Sequence, residues 1–370
     1  MENTFTIPFY AKAALVFISL FFFVFTLFIG QRIILPIVYA TILGILLNPM
    51  VNYLTKKKIN RIIAITLTVA FAILMFVGIL YIVSSQVTMF SETYPQLKAK
   101  FTIANNDLVH WVSQKFHISH TKINAWISET ETDMLKNLNV EENISAAGRM
   151  LIIATLLPVY LFMILFYKPL LLEFIRQLFR TEHQVMVADV LTSTKKIIQS
   201  YLVGLFFEMI IIAILNSAGL LLIGIDYAII LGITGAILNI IPYIGGIIAI
   251  ALPMLIAFVT KDSITYPLLV LGVYLFIQFV DNHFIIPKIV ASRVQLNALL
   301  SIIAVLIGGA LWGIPGMFLS IPLTAILKVI FDHIDSLKPW GFLLGNIVPT
   351  GTTFYYIKQK LKKTKSPNTL

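Results

Sequence analysis

Cysteine is absent from all 370 residues, so disulfides, thiolate nucleophiles and cysteine-based zinc sites are excluded at once. Charge is scarce as well. Only 12% of residues are Asp, Glu, Lys or Arg, against about 25% in an ordinary soluble domain. Acids are scarcer than bases, 17 against 27, which leaves a formal charge of +10. No HExxH, GxSxG, Walker A or GxGxxG pattern occurs, so the chain offers no constellation for enzymatic chemistry and calls for no cofactor. An aromatic-basic module is missing too, so the positive charge does not point to a nucleic-acid partner.

What the chain has in abundance is apolar sequence, 59% of its residues. Several runs approach or exceed the ~20 residues a helix needs to cross about 30 Å of hydrocarbon. In lipid only helices and closed barrels satisfy every backbone group, and continuous apolar runs, rather than alternating ones, exclude the barrel. The expected fold class is all-α: a polytopic, multi-pass integral protein of the inner (cytoplasmic) membrane, with the lipid bilayer as its first partner. The excess charge fits this reading. Lys56, Lys57, Lys58 and Arg61 fill one short connection and Lys358, Lys360, Lys362, Lys363 and Lys365 fill the tail, where cytoplasmic segments are normally basic.

About six full spans are expected, at residues 11–29, 33–51, 62–83, 150–167, 201–223 and 264–280. The first, preceded by Lys12, has some look of a signal peptide. It reads instead as a retained helix, being long enough to span, without a small-x-small cleavage site and followed at once by another span. Five regions result. Residues 1–83 hold N-terminal transmembrane helices, and 84–147 form an extracytoplasmic insertion of amphipathic helices. Residues 148–225 hold transmembrane helices with a cytoplasmic amphipathic linker, 226–335 a transport core, and 336–370 a cytoplasmic basic tail.

Two stretches in the fourth region are broken. Residues 226–260 would make a helix of about 52 Å, but Pro242, Gly245 and Gly246 interrupt the middle. Residues 296–331 repeat the design around Gly308, Gly309, Gly313, Pro315 and Gly316. Each is either a re-entrant helical hairpin or one long kinked span. Paired interruptions on either side of a single crossing favour hairpins entering from opposite faces.

Polar groups deep in apolar helices are expensive and mark candidate sites. Glu208 sits alone in an apolar span, either as a coupling carboxylate for a proton or cation or as a packing residue. Gln278, Asp281 and Asn282 end the span between the broken segments, either as ligands of a small cation or polar solute or as a helix-end cap. Asn239, Pro242, Gly245, Gly246, Gly309 and Gly313 complete the candidate set, because interrupted helices expose backbone dipoles that hold ions and polar ligands. His110, His117 and His120 lack a third ligand at convincing spacing and read as surface residues, so no metal site is expected.

Leu238 to Gly246, Gln278 to Asn282 with Ile285-Ile286-Pro287-Lys288, and Gly308 through Gly316-Met317 to Leu323 resemble the signature blocks of the autoinducer-2 exporter family. The resemblance covers residues 10–335. The chain departs from the family pattern at Gly246, where Pro is frequent, at Leu205, where Gln is frequent, and at Leu296-Asn297-Ala298-Leu299, where Leu-His-Pro-Leu is frequent. What the resemblance implies is a homo-oligomeric, pentameric exporter whose hairpins move against a fixed scaffold. Its cargo would be a small polar solute, an autoinducer-2-like quorum-sensing signal. Some relatives are instead sodium or lithium/proton antiporters, which would make a monovalent cation or proton a partner of this chain. A non-transporting membrane scaffold is the reading from another class.

Overall fold

The structure is a computed structural model that describes residues 8–116, 140–242, 244–291 and 296–346. His117, His120, Tyr243, Arg293 and the tail lysines lie outside the described residues. The described elements are helical, apart from an isolated bridge between Leu296 and Gly345. In chain order they are α1 (Phe9–Ile29), α2 (Gln31–Lys56), α3 (Arg61–Phe116), α4 (Val140–Leu178), α5 (Gln184–Ile223), α6 (Ala228–Asn239), α7 (Ile244–Thr260), α8 (Thr265–Val280), α9 (Ala298–His333) and α10 (Lys338–Leu344). Among the described residues, seven helices are long and apolar enough to cross a membrane, and α6 and α7 are shorter apolar helices. The protein is an all-α polytopic membrane protein.

Helices run through several boundaries that composition suggested. The third apolar span covers Arg61–Ile82, close to the expected 62–83, but its helix does not stop there. It continues as one helix of 56 residues, about 84 Å long, so the change from apolar to polar sequence occurs inside a continuous rod. The amphipathic linker before residue 201 is likewise the first half of α5, a helix of 40 residues. The span between the broken segments also runs on. After Val280 the chain widens into π-helical turns over Asp281–Ala291, which makes Asp281 an interior residue rather than a helix-end cap.

Both broken segments fold back on themselves. Ala228 and Leu231 of α6 share an apolar cluster with Ile256 and Ala257 of α7, and Gly235 lies opposite Ala249. In α9 the reversal is at Gly313, whose φ of 64° and ψ of −146° break the helix; glycine suits such a conformation because it carries no Cβ. The arms on either side meet closely: a Cβ at Gly308 would come within 2.5 Å of the Gly316 carbonyl oxygen, whereas eight residues along a straight helix separate Cα atoms by about 12 Å. The first hairpin joins α8 at its start through Thr260–Thr265, and the second follows its far end after Ala291. The two bases therefore lie at opposite ends of α8.

Proline inside an α-helix removes one N–H and frees the carbonyl four residues earlier. Two such carbonyls are closed by neighbouring helices. Pro49 frees Ile45, which accepts from Gln199 Nε2 of α5 at 2.7 Å. Pro169 frees Leu165, which accepts from the Arg61 guanidinium at 3.1 Å. These bonds tie α2 to α5 and α3 to α4 at the places where apolar packing joins them too: Ala40, Ile65 and Leu161 in one cluster, Leu35, Ile198 and Leu319 in another. α5 takes part in three of the four apolar clusters and is the central post of the fold.

Because the Gly316 carbonyl is backbone and cannot swing aside, Gly308→Leu is expected to pry the α9 arms apart, costing about 1–3 kcal/mol. A lower melting temperature of the detergent-purified protein is the measurement.

Candidate functional site

Pro242 sets where α6 must end: it cannot continue the helix, and the residue before it is biased away from helical geometry. The last turn tightens, with Ile240 and Ile241 N–H groups donating to Ile237 and Leu238 carbonyls at 3.3 and 2.9 Å. α7 then starts against the end of α6, where a Cβ at Gly245 would run into the Leu238 carbonyl. This closed tip presents Asn239 and Gly246 to α8. Asn239 donates from Nδ2 to Asp281 Oδ2 at 3.1 Å. The Gln278 side-chain oxygen lies 3.5 Å, and that of Asn239 3.7 Å, from the position a Cβ would take at Gly246.

A cavity of about 500 Å³ opens here, within the size range of small-molecule sites. Glu208 of α5, Asn239, Pro242 and Gly246 of the first hairpin, and Gln278, Asp281 and Asn282 of α8 and its π-helical extension all line it. Asp281 is 1% and Glu208 6% exposed. One Asp281 oxygen accepts from Asn239; the other, Oδ1, is buried without a protein partner among the described residues. A carboxylate fixed through one oxygen and left unpaired at the other has acceptor capacity to spare for a hydroxyl, an ammonium or a small cation. The π-helical turns that carry Asp281 and Asn282 widen the backbone at this level, a distortion common at functional sites.

The second hairpin contributes by its arms rather than its tip. Ser301, Val305 and Ile321 reach the cavity; Gly309 and Gly313 do not line it, and neither does Gly245. Gly309 packs against Met317 in the opposite arm, and Gly313 makes the reversal. The tip they form is instead anchored in the N-terminal helices. Trp312 Nε1 donates to the Leu27 carbonyl at 3.0 Å, and Tyr39 donates to the Pro315 carbonyl at 2.9 Å while stacking on Phe318.

Sequence reading missed Ser301 and a second buried polar group. Asn216 and Tyr274 both lie against Gly235, and they and the buried Thr234 each leave a buried polar atom without a protein partner among the described residues. Asn216 was findable, since it interrupts the apolar run of α5 as Glu208 does. Tyr274 and Thr234 resemble ordinary span residues, and only the packing brings Tyr274 to Asn216. No group of three or more metal-ligating side chains occurs among the described residues.

Residues 15–336 match the family described as AI-2E family transporter. YueF of Bacillus subtilis is 29% identical over 346 residues, covering 87% of this chain and 88% of its own length. YrrI of the same organism is 25% identical, covering 82% of this chain and 87% of its own length. The AI-2 transport protein TqsA of Escherichia coli is 25% identical over 321 residues, covering 86% of this chain and 91% of its own length. With a match running from the first span through both hairpins and the polar cavity between them, the chain belongs to the AI-2E transporter family.

Proposed function

We propose that this protein is a secondary transporter that moves a small polar solute, of the autoinducer-2 type, outward across the inner membrane by alternating access. The observation that carries the reading is the cavity where the tip of one hairpin, the arms of another and the interrupted α8 converge on Asp281. Carboxamides at Asn239, Gln278 and Asn282 and a hydroxyl at Ser301 surround it, a donor-and-acceptor lining suited to a hydroxyl-rich solute. Discontinuous helices that meet at a polar site are the arrangement from which secondary transporters are built.

In this reading both hairpins are re-entrant. α6, with 12 residues, reaches only about 18 Å, roughly halfway through the hydrocarbon, and the bases of the two hairpins face opposite sides. The unit that moves comprises the two hairpins with nearby helices, working against a fixed scaffold. α1 buries none of its residues within the protomer, which leaves it free to serve as a contact face in a homo-oligomer.

Glu208 supports a second reading. It shares the cavity with Asp281, and two carboxylates in a desolvated site are a natural place to exchange a cation for a proton. Sodium or lithium/proton antiport would use this pair directly.

Asp281→Asn keeps the shape of the side chain and removes its charge. Efflux from reconstituted vesicles is expected to fall by about tenfold or more, equivalent to ~1.4 kcal/mol; full activity would remove Asp281 from the mechanism. At Gly246, Ala meets only ordinary contact distances and is expected to retain transport, whereas Leu fills the space between Gln278 and Asn239 and is expected to block it with little loss of thermal stability. Vesicles carrying a pH dye separate the two readings. Sodium-driven proton movement without any organic solute, abolished by Glu208→Gln, is expected only of the antiporter.

A further inference from the structure

A second cavity, of about 510 Å³, lies where α2, α3 and α4 meet at their basic ends. Asn48, Asn52, Arg61 and Lys168 form its polar wall, and Val51 and Leu172 its apolar one. Arg61 is pinned there by the carbonyls of Leu165 and Phe166 at 3.1 and 3.0 Å, a use that occupies one of its three nitrogens. Lys168 donates to the buried Asn48 Oδ1 at 3.0 Å and has two further protons to give. The charge of Lys195 on α5 acts on Lys168 as well.

This positive charge is uncompensated. Among the described residues neither Arg61 nor Lys168 has a carboxylate within 4 Å. The sequence explains why: no Asp or Glu occurs between Glu2 and Glu92, or between Glu142 and Glu173. Glu173, the nearest acid along α4, is held by Arg176 at 2.6 and 2.8 Å. Lys168 is half-buried and Arg61 exposed, so the pocket presents accessible positive charge that the three contributing helices leave without a carboxylate partner among the described residues.

We infer that this cavity binds the phosphate headgroup of an anionic phospholipid, with Arg61 and Lys168 on the phosphate and Asn52 on the rest of the headgroup. A lipid fits better than a free anion because Val51 and Leu172 line the same space and Ile62, Ile63, Leu170 and Leu171 lie exposed beside it, a surface for acyl chains. Basic pockets between transmembrane helices on the cytoplasmic side are suited to such headgroups, and Lys56, Lys57 and Lys58 place this end there. A lipid held at this point would brace the contact between α3 and α4 that Arg61 makes.

The test uses the full chain purified in non-ionic detergent and titrated separately with phosphatidylglycerol, phosphatidylcholine and inorganic phosphate. Native mass spectrometry reads retention and the melting temperature reads stabilisation. Phosphatidylglycerol is expected to be retained as a single molecule per chain and to raise the melting temperature, with neither effect from the other two. Lys168→Gln, and independently Asn52→Asp, are each expected to weaken it about fivefold. Asn52 is exposed, so its replacement leaves a folded protein to measure even if Lys168→Gln does not. Unchanged retention by a folded variant, equal binding of phosphatidylcholine, or equal stabilisation by inorganic phosphate overturns the inference.

Discussion

In hydrocarbon, each backbone N–H and carbonyl must find a partner within the protein, and this chain repeatedly breaks the helices that would provide one. Prolines at 36, 49, 158, 169, 253, 287, 315 and 322 lie inside helical elements. At Pro49 and Pro169 the released carbonyl becomes the anchor for a side chain of another helix, so the defect in one element is the joint between two. The hairpin tips obey the same rule. Trp312 and Tyr39 connect the second reversal to the N-terminal helices through backbone oxygens, and Asn239 connects the first to Asp281. The architecture is thus held by a few polar links at broken places and by alkyl packing everywhere else.

The two hairpins differ in a way that divides their tasks. The first offers its tip to the cavity and lies against α5 so closely that a Cβ at Gly232 would meet the Ser217 backbone at 2.5 Å. It cannot slide on α5 without the backbones parting, which joins α5 and the first hairpin into one body. The second offers only the flanks of its arms to the cavity and fixes its tip between α1 and α2. An apolar groove of about 990 Å³ lies between α2, α3 and that first body, which remain joined by the Gln199–Ile45 and Lys100–Lys261 hydrogen bonds.

Apolar runs made the fold class legible in the sequence, and paired interruptions marked the two segments that fold back. Glu208, Asn239, Gln278 and Asp281 stood out because polar groups in apolar helices are costly wherever they point. That Asp281 is interior to a helix was not legible, because Pro287 suggests an end while the chain instead widens into π-helical turns. Gly309 and Gly313 share with Gly246 the signature of an interruption, yet packing gives them the work of a turn; spacing alone does not distinguish a glycine that faces a cavity from one that faces another arm. Asn216 and Tyr274 come from different helices and meet at Gly235 of a third, and that meeting depends on the register of α6 against α5, which no local pattern encodes.

α3 is far longer than a bilayer requires, and part of its length meets the end of α7. Lys100 Nζ donates to the carbonyls of Phe258 and Lys261 at 3.4 and 3.0 Å and lies 3.8 Å from Asp262, closing the open carbonyl end of α7 with a cation. One lysine thus fastens the polar continuation of a membrane-length helix to the base of the first hairpin. The contact joins the polar half of α3 to the hairpin whose tip bears Asn239 and Gly246, and because Asp262 is fully exposed its share of that contact is the part that dissolved salt screens.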